Sequence, residues 1–552
     1  MRAGHTGWGG QAMSLANRAY EALIKVPPAL TRDVTVERDV VVRAPDGTAL
    51  LTDLYLARPR QPLPTILIRS PYGRSGPYGV IARVFAERGY HAVVQSTRGT
   101  FGSGGQIDAD REAGDGRAAA DWVVDQDWSN GEIGGFGGSY LSFTQLALAS
   151  TRPPQLKALA IAVWGAERRA GYYPGGSFAL ERALGWAYTI GSQERGGGHR
   201  QWSAAIRAAL RAQRALAPAF AHLPLLDADV VAVGHPARYY RAVLEHAQPG
   251  DPYWAPTNFQ PLLRDLGIPV TMLAGWYDAF LPYMLADYQV LREGGQTVRL
   301  RVGAWHHTSQ DVFRYSVRDA LEWFGIHLRH QQAPAPGPAS VEVMGSGWRD
   351  LPRWPPPARI QAWHLQPGRA LAMAPPPDGL PDRFRYDPAD PTPAVGGPGP
   401  GRNSGPRDNR ALERRADVLT YTSATLAAGL EIMGPVSAEL HVASTRAHTD
   451  FFARLCEVSP QGRSVNVTDG LLRLTEGGPR RIRIDLWPTA YRFRPGSRIR
   501  LQVSSGAHPR YARNPGTGEP LATATSLTAA EQAVYHDPGR PSAVLLPVTG
   551  AG

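Results

Sequence analysis

From about Asp33 to Leu56, apolar and polar positions alternate on either side of Pro45-Asp46-Gly47, which predicts two strands joined by a turn. The texture then changes to short apolar runs separated by helical patterns. Thr65 to Ile68, His91 to Val94, Leu156 to Val163, Val270 to Leu273 and Val298 to Val302 read as buried strands. Ile81 to Arg88 and Asp115 to Asp125 read as helices, the second with Ala118, Ala119, Trp122 and Val123 on one face. Strands alternating with helices imply parallel pairing and an α/β sheet. Between about Ala166 and Thr257 the alternation stops, and Ala, Arg and Leu recur at helical spacing, most clearly over Trp202 to Leu216. This segment is expected to be a helical insertion. From about Ala339 the pattern is all-β, with runs such as Ala438 to Ala443, Arg481 to Leu486 and Ile499 to Val503 between Gly/Pro turns, as in a sandwich or jelly roll. Pro375 to Arg407 is expected to be a long loop. The resulting division is an N-terminal extension over 1–32, an α/β domain over 33–165 and 258–335, a helical cap over 166–257, and a β domain over 336–552.

Composition narrows the function classes. The 552 residues exceed the roughly 250–300 at which one hydrophobic core stops growing. Hydrophobic residues make up 43% and charged residues 19%, which excludes a mostly disordered chain. The single cysteine, Cys456, allows no intramolecular disulfide and no multi-cysteine metal site. The net charge of +11 invites a nucleic-acid reading, but the basic residues, all Arg except Lys25 and Lys157, are scattered among Ala, Gly and Pro. No clustered basic face or reader motif stands out, so no nucleic-acid partner is expected. No stretch approaches the ~18 apolar residues of a membrane span. Met1 to Pro28 has no apolar core ending in a cleavage site. A soluble cytoplasmic protein without membrane contact is the expectation.

The candidate chemistry begins at Gly134-Gly135-Phe136-Gly137-Gly138-Ser139-Tyr140, where small residues and a serine precede an apolar helix from Leu141 to Ala149. A serine on a sharp strand-to-helix turn projects its oxygen above the carboxyl edge of a parallel sheet. The helix N-terminus behind it supplies N–H groups and a positive field for an oxyanion. Such a serine needs a base, and the base an orienting acid. Two later strands end in Gly275-Trp276-Tyr277-Asp278 and Gly303-Ala304-Trp305-His306-His307. An acid and a histidine thus follow successive strands in the chain order Ser, Asp, His that this kind of sheet uses.

These elements, with Asp46-Gly47-Thr48-Ala49-Leu50, Ser70-Pro71-Tyr72, Arg98-Gly99, Trp128-Ser129-Asn130-Gly131, Gly434-Pro435, Thr449-Asp450-Phe451, Gly462-Arg463-Ser464 and Gly496-Ser497-Arg498, occur in an ordered series. In that series the chain resembles the CocE/NonD hydrolases, the cocaine-esterase-like relatives of the Xaa-Pro dipeptidyl-peptidases of family S15. The resemblance implies an α/β-hydrolase fold with a helical cap and a C-terminal jelly roll. It implies Ser139 as nucleophile, Asp278 as orienting acid and His307, two residues after Trp305, as general base. The oxyanion hole would combine the backbone N–H of Tyr140 with the hydroxyl of Tyr72. No metal or organic cofactor is implied.

Departures from the family pattern bear on substrate. Ser142 and Ser497 stand where the family often has glycine and histidine. Members that hydrolyse α-amino acid esters carry carboxylates two and three residues past the acid; here those places hold Phe280 and Leu281. An ammonium group without a carboxylate partner is costly to bury. The resemblance therefore favours an ester with an apolar or aromatic acyl group, walled by Trp164, Trp276 and Phe280. Amidase, α-amino-ester hydrolase or dipeptidyl-peptidase action is the alternative, with Glu181 a candidate to hold a peptide amine. A non-catalytic binding protein is the more distant one. The expected partner is a small-molecule ester or amide, and a homodimer is compatible with the extra surfaces of the cap and β domain.

Overall fold

The computed structural model describes residues 18, 20–194, 215–332, 337–401 and 403–550. Its first sheet has ten strands: β1 (Val34–Arg43), β2 (Ala49–Ala57), β3 (Leu63–Ser70), β4 (His91–Ser96), β5 (Ser129–Gly138), β6 (Leu156–Ala162), β7 (Val270–Gly275), β8 (Val298–Gly303), β9 (Ala339–Val343) and β10 (Gly347–Leu351). Their spatial order is β1-β2-β4-β3-β5-β6-β7-β8-β9-β10. From β4 across to β9 every neighbouring pair is parallel; the antiparallel pairs, β1 with β2, β2 with β4 and β9 with β10, lie at the two edges.

Alternate residues of the central strands feed cores on opposite faces. Leu67 and Val93 join one core with Phe143, Leu146 and Met284, whereas Ile66, Ile68, Ala92 and Val94 join the other with Phe85, Phe136 and Phe324. Burial on both faces explains why these strands read as continuous apolar runs. It also explains the apolar helix Tyr140–Ser150, which is buried from Tyr140 through Ala149.

The cap is built from the helices Arg168–Tyr172, Leu180–Glu194, Ala228–Val233 and Arg238–Glu245, closed by the 3-10 turn Pro252–Thr257. Phe178, Leu184, Phe220, Tyr240, Val243 and Trp254 form its own core. The Trp202 to Leu216 stretch falls outside the described residues as far as position 214.

The second sheet is all-β and has twelve strands, ten of them in one path; off that path Arg480–Phe493 pairs with Leu430–Ser444 and Arg540–Pro541 with Ala530–Asp537. Phe451, Ala453 and Leu455, Ile482, Ile484 and Leu486, and Ile499, Leu501 and Val503 meet in one core, the period of two read from the sequence. Two expectations need correction here. Residues 339–351, assigned to the β domain, form β9 and β10 and extend the first sheet, because Ala339 to Val341 pair in parallel with Leu300 to Val302. Pro375 to Arg407 is not wholly a loop, since Asp382–Tyr386 pairs with Ala530–Asp537. Among the described residues no helix is long and apolar enough to cross a membrane.

Candidate active site

Ser139 stands between β5 and the helix Tyr140–Ser150 with φ 58° and ψ −128°, outside the favoured regions for a residue with a Cβ. Gly137 makes the sharp turn feasible. A Cβ there would come within 2.5 Å of the Leu141 Cβ. Ser142 further ties the turn together: its hydroxyl donates to Gly137 O at 2.7 Å and accepts from Ala162 N at 2.9 Å. This serine serves packing and hydrogen bonding within the turn.

The strands β5, β6, β7 and β8 are parallel neighbours, so the segments leaving their carboxyl ends emerge on one rim. Asp278 follows β7 and His307 follows β8. His307 Nδ1 lies 2.7 Å from Asp278 Oδ2, and His307 Nε2 lies 3.0 Å from Ser139 Oγ. Asp278 is fully buried, and its other oxygen accepts from the Phe280 backbone N–H at 2.8 Å. That second bond fixes the carboxylate plane. His306 turns away: its backbone N–H donates to the Ser309 hydroxyl, and its ring lies 3.4 Å from the Thr308 hydroxyl.

Tyr140 opens the helix, so its N–H has no acceptor within it. Its side chain is anchored by a 3.0 Å bond from the phenol to Glu112, which is in turn paired with Arg69 at 2.7 Å. Tyr72 leaves the loop after β3, its hydroxyl facing the cavity beside Ser139 and accepting from the indole N–H of Trp186 at 3.2 Å. Burial pushes the Tyr72 phenol up to about 12.

These groups face a cavity of about 1300 Å³ between the sheet edge and the cap. Trp164 and Phe280 line it, with ring centroids 4.7 Å apart, and the Phe280 ring lies 5.6 Å from that of His307. Trp276 does not belong there. Its indole N–H donates to Glu342 O at 2.7 Å and its ring packs on Trp354, because β9 draws it to the far side of β7. The cap contributes residues that sequence reading missed: Arg168, Tyr172, Arg182, Trp186, Tyr239 and Tyr253. Arg182 and Trp186 are spaced i, i+4 on one helix face, a signal present in the sequence but without a partner to interpret it. Pro400 and Gly401, from the Pro/Gly-rich segment, also reach the cavity; Pro400 O accepts from the Thr308 hydroxyl at 3.1 Å, and Gly399 N donates to Tyr277 O.

The comparisons with known proteins agree with this architecture. The family model of the X-Pro dipeptidyl-peptidase (S15 family) matches residues 46–309, and that of the X-Pro dipeptidyl-peptidase C-terminal non-catalytic domain matches residues 332–545. The chain is 31% identical to the cocaine esterase of Rhodococcus sp. (strain MB1 Bresler), over 93% of its own length and 98% of the esterase. Among solved structures it is similar to an α-amino acid ester hydrolase (TM-score 0.79, 23% identity, 95% and 98% of the two chains). It is also similar to a CocE/NonD family hydrolase from Staphylococcus aureus (TM-score 0.68, 17% identity, 94% of each chain). With this agreement in both halves, the chain belongs to the CocE/NonD serine hydrolases of the S15 family.

Proposed function

We propose that the protein hydrolyses a carboxylic ester through an acyl-serine intermediate, with Ser139 as nucleophile, His307 as general base and Asp278 as its orienting acid. One observation carries the reading: the two nitrogens of a single imidazole meet Ser139 Oγ and Asp278 Oδ2 at 3.0 and 2.7 Å. In this mechanism Ser139 attacks the ester carbonyl as His307 takes its proton at Nε2. Asp278 holds the Nδ1–H tautomer and stabilises the imidazolium. The carbonyl oxygen, now an oxyanion, receives hydrogen bonds from the Tyr140 backbone N–H and the Tyr72 hydroxyl. His307 returns the proton to the leaving alcohol, and water then releases the acyl group by the reverse sequence.

Trp164 and Phe280 beside His307 support an acyl group with an apolar or aromatic body. The esterase name of the Rhodococcus relative points the same way. Amide cleavage is the second reading, supported by the family's peptidase members. Labelling with a fluorophosphonate probe tests the nucleophile: the wild type is expected to label and Ser139→Ala not to. A folded wild type that fails to label would overturn the proposal. Turnover of p-nitrophenyl esters against amino-acyl-proline anilides separates the two substrate classes.

A further inference from the structure

Every arginine that is buried among the described residues has a carboxylate within salt-bridge distance: Arg69, Arg74, Arg88, Arg98, Arg299, Arg454 and Arg510. Arg182 is half-buried and has no such carboxylate. It lines the cavity from the cap helix Leu180–Glu194, its Nε and Nη2 are closed off from solvent with no hydrogen-bond partner, and no described carboxylate pairs with it. Its guanidinium lies between two ring faces, 4.8 Å from the centroid of Tyr172 and 4.6 Å from that of Phe280. Ring faces attract a cation, but they accept no hydrogen bond in the guanidinium plane. An arginine cannot escape the burden by losing its proton. Arg168, a second cavity-lining cation, hydrogen-bonds to neutral acceptors, Thr257 Oγ1 and Tyr253 OH, each at 3.3 Å, with the Asp110 charge in its field.

No described acid lies within salt-bridge distance of Arg182, although the Asp278 charge favours its cation from farther off. Glu181 forms no ion pair with Arg182; burial raises its carboxyl pKa, and the opposing influence comes from Arg510. Asp278 is committed to His307 and the Phe280 N–H. Arg182 thus lines the cavity without an ion-pair partner among the described residues, one aromatic ring away from the imidazole. A carboxylate is the planar partner that such a fork binds most strongly.

We propose that Arg182 anchors a carboxylate at the far end of the acyl group, so that monoesters of dicarboxylic acids are the substrate class of this site. The apolar walls take the body of the acyl chain and the guanidinium takes its charged terminus. This rests on Ser139 acting as the nucleophile.

The test compares kcat/KM for monomethyl adipate with that for methyl hexanoate, in which a methyl group replaces the carboxylate. The wild type is expected to favour the half-ester at least tenfold. Arg182→Gln should lower kcat/KM for the half-ester at least tenfold more than for methyl hexanoate, mainly through KM, and Arg182→Lys should recover part of that loss. Free adipate should inhibit the wild type competitively, which keeps the test available if the variants fail to fold. Fluorophosphonate labelling of Ser139 without a half-ester preference, or equal losses on both esters, would overturn the anchor alone. Absence of labelling would overturn the nucleophile reading and the anchor with it.

Discussion

The indole N–H of Trp186 donates to the phenol oxygen of Tyr72 at 3.2 Å, joining the cap to the loop after β3 at the mouth of the site. The Trp186 ring is also stacked on Tyr140, with centroids 5.8 Å apart. Because Tyr72 accepts from Trp186, its own proton is free to point toward Ser139. With burial holding the phenol up at about 12, it remains a neutral donor throughout ordinary assay conditions. Tyr72→Phe is expected to lower kcat by ~10²–10³, the usual loss on deleting one oxyanion donor. Trp186→Phe keeps a ring against Tyr140 but removes the N–H, so a smaller fall in kcat is expected. Steady-state kinetics on a p-nitrophenyl ester read both; wild-type kcat in folded Tyr72→Phe would take the phenol out of the mechanism.

Asp278→Asn probes the orienting acid. Both carboxylate oxygens accept hydrogen bonds, from Phe280 N and from His307 Nδ1. An amide can accept only one of them and must turn its NH₂ toward the other donor. If it faces the histidine, the imidazole adopts the opposite tautomer and presents N–H rather than a lone pair to Ser139. The expected result is a fall in kcat of ~10⁴ with a retained fold, measured by ester turnover and circular dichroism.

The sequence made the hydrogen-bonded chain Ser139–His307–Asp278 legible because each member follows a strand of a parallel sheet, where local pattern fixes the rim on which it emerges. Trp276 failed for the same kind of reason in reverse. It sits two residues before Asp278, but the strand partner that captures it, β9, lies in a segment whose pattern looked like the β domain. The cap residues were legible only as helix. Which face of Leu180–Glu194 meets the cavity depends on packing against Tyr240 and the β-domain residue Ala512, contacts between segments far apart in the chain. The family motifs Asp46-Gly47-Thr48 and Arg98-Gly99 turn out to be one structural device: Arg98 bridges Asp46 in the β1–β2 turn and Asp115 on the helix Glu112–Val124, at 2.8 and 2.7 Å.

Asp287 predicts a pH dependence of stability. It lies buried on the helix Leu281–Glu293, accepting from Ala166 N at 2.6 Å where the chain leaves the sheet for the cap; Oδ1 has no partner. Burial raises its pKa to about 7, with Glu167 adding to the shift. A carboxyl whose folded pKa lies above its unfolded value keeps its proton longer in the folded state. Its contribution to stability is full below the unfolded pKa of about 4 and is lost as pH rises to about 7. Asp287→Asn should therefore melt progressively higher relative to the wild type as pH goes from 4 to 7. Parallel melting curves across that range would count against it.

Asp469 lies wholly buried between two guanidinium groups, 2.9 Å from Arg454 and 2.6 Å from Arg510. Removing its charge leaves two buried cations facing each other, a change that typically costs ~3–5 kcal/mol. The two arginines that Asp469 pairs with hold the loop that edges the cavity: Arg454 donates to Val395 O and Arg510 to Pro398 O. Gly397 lies so close that a Cβ would come within 2.5 Å of both Asp469 Oδ2 and Arg510 Nη1. Two and three residues on, Gly399 and Pro400 bond to Tyr277 and Thr308, the chain neighbours of Asp278 and His307. Asp469→Asn should thus lower the melting temperature and, at a temperature where the variant is still folded, lower kcat/KM as well. A double variant, Asp469→Asn with Arg510→Gln, removes one of the stranded charges and should recover part of the stability. If the single variant melts like the wild type, the buried cluster does not carry the loop.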